Sequence, residues 1–360
     1  MRNLFINRKK ELAKLEDGLK LGKDYILIAP RRYGKTALAR MVGKKLNQDS
    51  ANSFIHIDLM SYSSGSVASV AECIIEKVLN SLGFNGKLRR ILKSMEFTFN
   101  LRVKYQDLEI EPMLQLFRTN DEWALLEEAL ELPEKVAIKQ KKRLIIFFDE
   151  FAELTKLSKR VIELFRSVIQ NHENVSYLFA GSQESLMNEI FLDKSGAFYR
   201  FGEIIYLKEL NQEDLFIYLE QNFPEIGHSE SGMRDLRVIN AILETLNGHP
   251  YYTAQAISYF EENSKCTYEQ FHEYLTKELF ENERPLLEQQ LLYISEKQHA
   301  LDVLRLIALG INPYGEISSV SNAHIYNVLR YLDNAGYIRK VSRGVYQLTD
   351  PLMSLMLNNI

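Results

Sequence analysis

Three short segments of this chain carry residue types whose spacing suits phosphate chemistry. The first is Ala29-Pro30-Arg31-Arg32-Tyr33-Gly34-Lys35-Thr36, which follows the apolar run Tyr25–Ala29 and precedes the helical pattern Ala37, Leu38, Met41, Val42. A loop between strand and helix leaves backbone N–H groups free to cradle phosphates. Lys35 would reach the β/γ-phosphates and the Thr36 hydroxyl would bind Mg²⁺. Ala29 stands where the strict pattern has glycine. A methyl is tolerable there if Ala29 still belongs to the strand, and strained if the position needs positive φ. The second segment is Leu144-Ile145-Ile146-Phe147-Phe148-Asp149-Glu150. On its own, an acidic pair after a strand is an ordinary solvated strand end. With a phosphate loop about 115 residues upstream, Asp149 becomes a candidate Mg²⁺ holder and Glu150 a candidate general base for water. The third is the strand-like run ending in Gly181-Ser182-Gln183, where Ser182 or Gln183 either senses a γ-phosphate or simply makes a turn.

The elements that must position these residues are legible as short apolar runs at 25–29, 54–59, 144–148, 177–180 and 204–207, alternating with helical patterns. Continuous β-branched and aromatic runs of this kind predict parallel strands covered by helices on both faces. The ligand edge of such a doubly wound sheet is where its strands end. Between Leu59 and Leu144 lie 84 residues, far more than a βαβ unit of about 30 residues needs. This predicts an insertion at about 84–120, with a possible hairpin of Glu96–Val103 and Leu108–Ile110. Residues 85–104 carry six Lys/Arg against one Glu, and 105–139 carry three against nine acids, a pattern of opposed surface charge. Past residue 210 the pattern is helical. Asn211 and Thr267 predict N-caps, and helices are expected around 298–309 and 321–334. A hairpin turning at Arg343-Gly344 follows, which suggests a winged helix.

Composition narrows the function classes. The 360 residues carry 44 Lys+Arg and 48 Asp+Glu, a net charge of −4, which excludes a strongly basic chain coating nucleic acid. Two cysteines, Cys73 and Cys266, are too few for a disulfide scaffold, and Cys73 reads as a small buried residue. No run reaches the roughly 18 apolar residues of a membrane span, and Met1–Arg8 becomes charged too soon for a signal peptide. A cytoplasmic protein is expected. The seven histidines are scattered without zinc-site spacing, and His56 reads as a satisfied core or sheet-end residue.

The chain resembles the archaeal-type ATPase family, which also occurs in bacteria and belongs among the signal-transducing P-loop ATPases related to AAA+ proteins. The resemblance rests on Phe5-Ile6-Asn7-Arg8 with Lys9–Leu12, the loop Pro30–Thr36, Asp149-Glu150, Ala180-Gly181-Ser182 and Gly248-His249-Pro250. It spans about the first 280 residues. It implies an α/β P-loop fold with sheet order 5-1-4-3-2, and ATP as the nucleotide. It further implies that Phe5, Ile6, Asn7 and Arg8 lie against adenine, and that His249 and Pro250 close over the nucleotide from a helical lid. Without it these would be an ordinary helix start and helix break. The relatives place an arginine before the fifth strand, which makes Arg200 a candidate for contacting a γ-phosphate of its own or a neighbouring subunit; a surface arginine is the plain alternative. Pro30, Arg31, Arg32, Tyr33, Gly34, Lys35, Thr36 and Ala37 are the expected loop ligands of ATP or ADP, and Arg31 and Arg32 either touch phosphate or pair on the rim.

The expected organisation is therefore a nucleotide-binding domain at 1–210, a helical lid at 211–285 and a winged helix at 286–360. The expected function is a slow, Mg²⁺-dependent ATPase switch acting on an unidentified protein partner or on its own copies. The alternative is an ATP-regulated DNA-binding protein reading the duplex with Asn322, Asn327 and Arg330 and touching its backbone with Arg339, Lys340 and Arg343. Residues 298–360 carry five Lys/Arg against four acids, so their phosphate neutralisation would be weak.

Overall fold

The computed structural model describes residues 8–62, 65–81, 121–227, 236–317 and 320–358. Phe5, Ile6, Asn7 and most of the inserted segment, including its expected hairpin, lie outside them. Helix α1 (Lys9–Lys20) leads into β1 (Tyr25–Ile28), the loop 29–34 and α2 (Lys35–Leu46). Then come β2 (Asn52–Asp58), α3 (Val67–Asn80), α4 (Glu122–Gln140), β3 (Arg143–Asp149), α5 (Lys159–Ile169), β4 (Val175–Gly181), α6 (Glu184–Phe191) and β5 (Glu203–Tyr206). The five strands form one sheet in the order β2-β3-β4-β1-β5, with every pairing parallel. This is the expected order.

The apolar runs make central strands because both of their faces are covered. Ile26, Ile28, Ile146, Phe148, Tyr177 and Phe179 pack toward α3, α4, α5 and α6. Tyr25, Leu27, Ile145, Phe147, Leu178 and Ala180 pack toward α1 and α2. On the first side Phe148, Phe151, Phe165, Phe179, Phe191 and Phe198 meet in edge and stacked contacts at 4.7–6.1 Å between ring centroids. Rings packed this closely fix the 3₁₀ turn Phe151–Lys156 beneath the end of β3, and so fix where Asp149 and Glu150 emerge. Glu203 and Tyr206 of the edge strand β5 stay exposed, as expected of a strand with one neighbour.

From Leu210 to Leu357 a second continuous core joins the remaining elements. These are α7 (Gln212–Asn222), α8 (Arg237–Leu246), α9 (Pro250–Glu262), α10 (Tyr268–Glu273), a π-helical turn (Tyr274–Leu279), α11 (Phe280–Ser295), α12 (Ala300–Ala308) and α13 (Asn322–Asn334). The antiparallel pair β6 (Ile338–Ser342) and β7 (Val345–Leu348) and α14 (Pro351–Asn358) complete the chain. Asn211 caps α7 and Thr267 closes a capping box on α10, as their spacing predicted. Both cysteines are buried and unpaired. Among the described residues no helix is long and apolar enough to cross a membrane.

Candidate functional site

Parallel pairing brings the ends of β1, β3 and β4 to one edge, with Ile28 opposite Gly181. The 29–34 loop leaves that edge and turns into α2. Ala29 is buried and is not among the left-handed residues, so its methyl costs nothing. Positive φ falls instead on Arg32 (65°) and Gly34 (86°). Gly34 is the N-cap of α2 and has no side chain to claim the first-turn N–H groups, and a Cβ there would project into open space. The loop therefore presents free donors beneath an unfilled cradle, as an anion site requires.

Four side chains converge on that cradle. Thr36 Oγ1 donates to Asp149 Oδ2 at 2.6 Å across 113 residues of sequence. Lys35 is 4% exposed; its Nζ donates to the carbonyls of Ala29 (2.8 Å) and Pro30 (3.1 Å) and stands 4.0 Å from Glu150 Oε1. Burial pulls the Lys35 ammonium below its usual range against the opposing charges of Glu150 and Asp149. Burial would raise the Asp149 carboxyl, but His56, Thr36 and Lys35 together outweigh it and hold the group below the usual carboxylate range. Glu150 takes a left-handed backbone (φ 53°) and turns toward β4, where its Oε2 accepts from both Ser182 N (2.9 Å) and Ser182 Oγ (2.8 Å). Gln183 does the same for the buried Glu153, donating to its Oε1 at 2.8 Å. Ser182 and Gln183 thus hold the two glutamates that follow β3.

The other expected residues are placed unevenly. Ala37 is exposed on the first turn of α2. Arg8 is buried, with its guanidinium on the Lys208 carbonyl and on Glu11, so the chain entering α1 is tied to the end of β5. His249 is 3% exposed, caps α9 just before Pro250, and lies edge-on to Tyr33 at 4.9 Å. Burial and then the charge of Arg32 push its pKa down to about 4, so the ring is neutral. Gly248 is obligatory beside it: φ is +66°, and a Cβ would meet the Leu210 carbonyl at 2.4 Å. Arg200 is exposed three residues before β5, at the edge of the sheet opposite the loop, with its guanidinium 5.2 Å from the Tyr199 ring centroid. The structure does not bring it to its own phosphate loop.

The family model described as an ATPase domain predominantly from Archaea matches residues 5–256, well over half of the chain. The chain belongs to this ATPase family. Among solved structures, a Walker-type ATPase of Pyrococcus abyssi is 20% identical with a TM-score of 0.69, the alignment covering 99% of this chain and 97% of that one. The ORC2 protein of Aeropyrum pernix, solved in ADPNP and ADP complexes, is 14% identical with a TM-score of 0.56, covering 98% and 92%. Both show the same fold. Among curated proteins no sequence matches.

In this ATPase, several residues at the site carried no sequence signal. His56, expected as a satisfied core or sheet-end histidine, lies near the end of β2 with its Nε2 3.5 Å from Asp149 Oδ2 and its ring stacked on Phe147. Arg32 pairs with Glu283 at 2.7 Å and lies over the Tyr251 ring at 4.5 Å. Tyr33 Oη donates to Glu209 at 2.9 Å, and Glu209 in turn pairs with Arg339 at 2.6 Å. None of Glu209, Tyr251, Glu283 or Arg339 sits in a motif. Only the charge types of Arg31 and Arg32 hinted that the loop's rim forms ion pairs.

Proposed function

We propose that this member of the ATPase family is an Mg²⁺-dependent ATP-binding and ATP-hydrolysing switch. The observation that carries this reading is the Thr36–Asp149 hydrogen bond beside the buried Lys35 and the tethered Glu150. The fit to the metal is chemical: a hydroxyl and a carboxylate, 2.6 Å apart, are the hard oxygen donors that Mg²⁺ prefers. The fit to a triphosphate lies in the open cradle over Gly34 and the uncapped start of α2. Bound Mg²⁺ would supply charge neutralisation at the β- and γ-phosphate oxygens.

The chain's own residues do the rest. Lys35 exchanges the Ala29 and Pro30 carbonyls for phosphate oxygens, and burial increases the worth of its charge there. Thr36 and Asp149 would be the residues that hold the metal. Glu150, released from Ser182, orients the attacking water and accepts its proton. We assign residues 1–210 to the nucleotide domain, 211–285 to the lid and 286–360 to a winged helix formed by α12, α13 and β6–β7. Nucleotide state would then set how the lid and winged helix meet a protein partner or a second copy, in the cytoplasm. Arg339 is engaged by Glu209, which leaves Lys340 and Arg343 as the hairpin cations facing solvent and weakens the DNA-binding alternative.

The test is Mg²⁺-ATP turnover and nucleotide affinity in wild type, Lys35→Ala and Glu150→Gln. Lys35→Ala should lose both, and Glu150→Gln should bind like wild type with turnover reduced by on the order of 10²-fold or more. Wild-type turnover in Glu150→Gln would remove the general-base assignment.

A further inference from the structure

We infer that Arg32 and Tyr33 latch the phosphate loop to the C-terminal half of the chain, and that a bound nucleotide opens this latch by taking Arg32 from Glu283. The inference rests on the functional reading above and names the device by which that site would be regulated.

Two consecutive loop residues point away from the cradle into two separate networks. Arg32 holds Glu283 of α11 at 2.7 Å, and Tyr251 of α9 completes the group, its hydroxyl 3.0 Å from the second carboxylate oxygen and its ring under the guanidinium. Tyr33 Oη lies 2.9 Å from Glu209 and 3.3 Å from the Thr349 carbonyl. Arg339 of β6 then joins Glu209 to Gln347 of β7. The loop that would carry the phosphates is thus bonded directly to α11 on one side, and on the other to the Thr349 carbonyl just after β7 and, through Glu209, to Arg339 of β6.

The arrangement is asymmetric in charge, which gives it a direction. The Arg32 side chain is about one-third exposed, whereas that of Glu283 is 10% exposed. A left-handed backbone at an arginine is strained, and the charge-assisted bond to Glu283 offsets that strain. Phosphate oxygens arriving beside Gly34 offer the guanidinium a stronger, multiply charged partner. Once Arg32 turns to them, Glu283 keeps, among the described residues, only the Tyr251 hydroxyl, and a nearly buried carboxylate without a cation is unstable. Glu283 must then move, and it sits between the π-helical turn Tyr274–Leu279 and Pro285, which has no backbone N–H to give the helix. The Tyr33–Glu209–Arg339 chain extends the same rearrangement to the hairpin.

The experiment measures hydrogen exchange of residues 338–349 in the full chain with and without Mg²⁺-ATP or Mg²⁺-ADP, with affinity titrated on the same samples. In wild type, nucleotide should speed exchange of the hairpin amides. Glu283→Gln removes the competing charge and should bind ADP about three- to tenfold tighter, the size expected for releasing a partly exposed ion pair. Arg339→Gln should speed hairpin exchange before nucleotide is added and abolish most of the nucleotide response. Should that variant fail to fold, Tyr33→Phe removes the loop's own bonds to Glu209 and Thr349 while keeping the ring, and should likewise abolish most of the nucleotide response. Nucleotide bound with hairpin exchange unchanged, or Glu283→Gln binding no tighter than wild type, overturns the latch. Absence of any nucleotide binding by wild type overturns the functional reading and this inference with it, and the titration tells the two failures apart.

Discussion

A half-buried and a buried aspartate at opposite ends of one sheet show what separates a reactive edge from a structural one. Asp24, just before β1, accepts one backbone bond from Tyr177 N at 2.7 Å. Burial raises its pKa to about 6, more than Arg143 and Arg166 can offset. Asp149, at the far end of β3, is buried, yet Thr36, His56 and Lys35 hold its carboxyl low. The edge at Asp24 also has open space and visible charge. A cavity of about 630 Å³ there is lined by Lys20, Lys141, Lys142 and Arg143 beside Asp49. Those cations have an ordinary origin, because the C-terminal ends of α1 and α4 converge there and helix macrodipoles favour positive charge. Cavity size and charge density therefore point to the wrong edge. What distinguishes the loop edge is that titratable groups from different segments are buried against one another.

Substitutions at the two edges should separate this contrast by size. The largest effect is expected from Asp149→Asn, which leaves Thr36 with a neutral partner. Turnover should fall by about 10²- to 10³-fold, and titration with Mg²⁺ should show a weaker metal requirement curve. Wild-type Mg²⁺ dependence in this variant would mean that Asp149 is as structural as Asp24.

An intermediate effect is expected at Asp24, on stability and not on turnover. Its folded pKa of about 6 lies above the ordinary 3.8, so between these values the native state binds the proton more tightly than the unfolded chain does. That stabilisation is present below pH 4 and is lost as pH rises through 6, in total by on the order of 3 kcal/mol. His249 acts oppositely: with a pKa of about 4, it removes stability as pH falls from 6.5. The comparison is therefore the difference between wild type and Asp24→Asn, which keeps an acceptor for Tyr177. Melting curves from pH 4 to 7 should show wild type losing ground to the variant as pH rises. Parallel curves would remove the raised pKa.

The smallest effect is expected from Lys141→Ala/Lys142→Ala in the open cavity. Turnover should be unchanged and stability should move by less than about 0.5 kcal/mol per site. A loss of turnover there would show that the open edge also takes part in function.

How far these contrasts were legible depends on the range of the physics involved. The strands were readable because burial on both faces leaves unbroken apolar runs, and the caps at Asn211 and Thr267 were readable because a cap is satisfied within three residues. The loop was readable by spacing, although its left-handed positions, Arg32 and Gly34, were not. Ser182 was marked as a candidate, but its partner Glu150 lies 32 residues away on a neighbouring strand. His56 was readable as a core or sheet-end histidine, but its partner was not, because a histidine within a strand has no local sign that an aspartate on the next strand will stand beside it. Arg339 was counted toward the hairpin's exposed charge, whereas the fold pairs it with Glu209, 130 residues earlier.

The sequence by itself determined the α/β class, the strand positions, the phosphate loop, the acidic pair after β3, and past residue 210 a mainly helical chain closing on a hairpin. Periodicity, capping and turn chemistry act over a few residues and are written locally. Only the tertiary structure decided which charges meet: Thr36 with Asp149, Glu150 with Ser182, Arg32 with Glu283 and Tyr33 with Glu209 and Arg339. Such pairings depend on where distant segments are brought together, and one residue type takes opposite character at two ends of a sheet according to which partners share its burial.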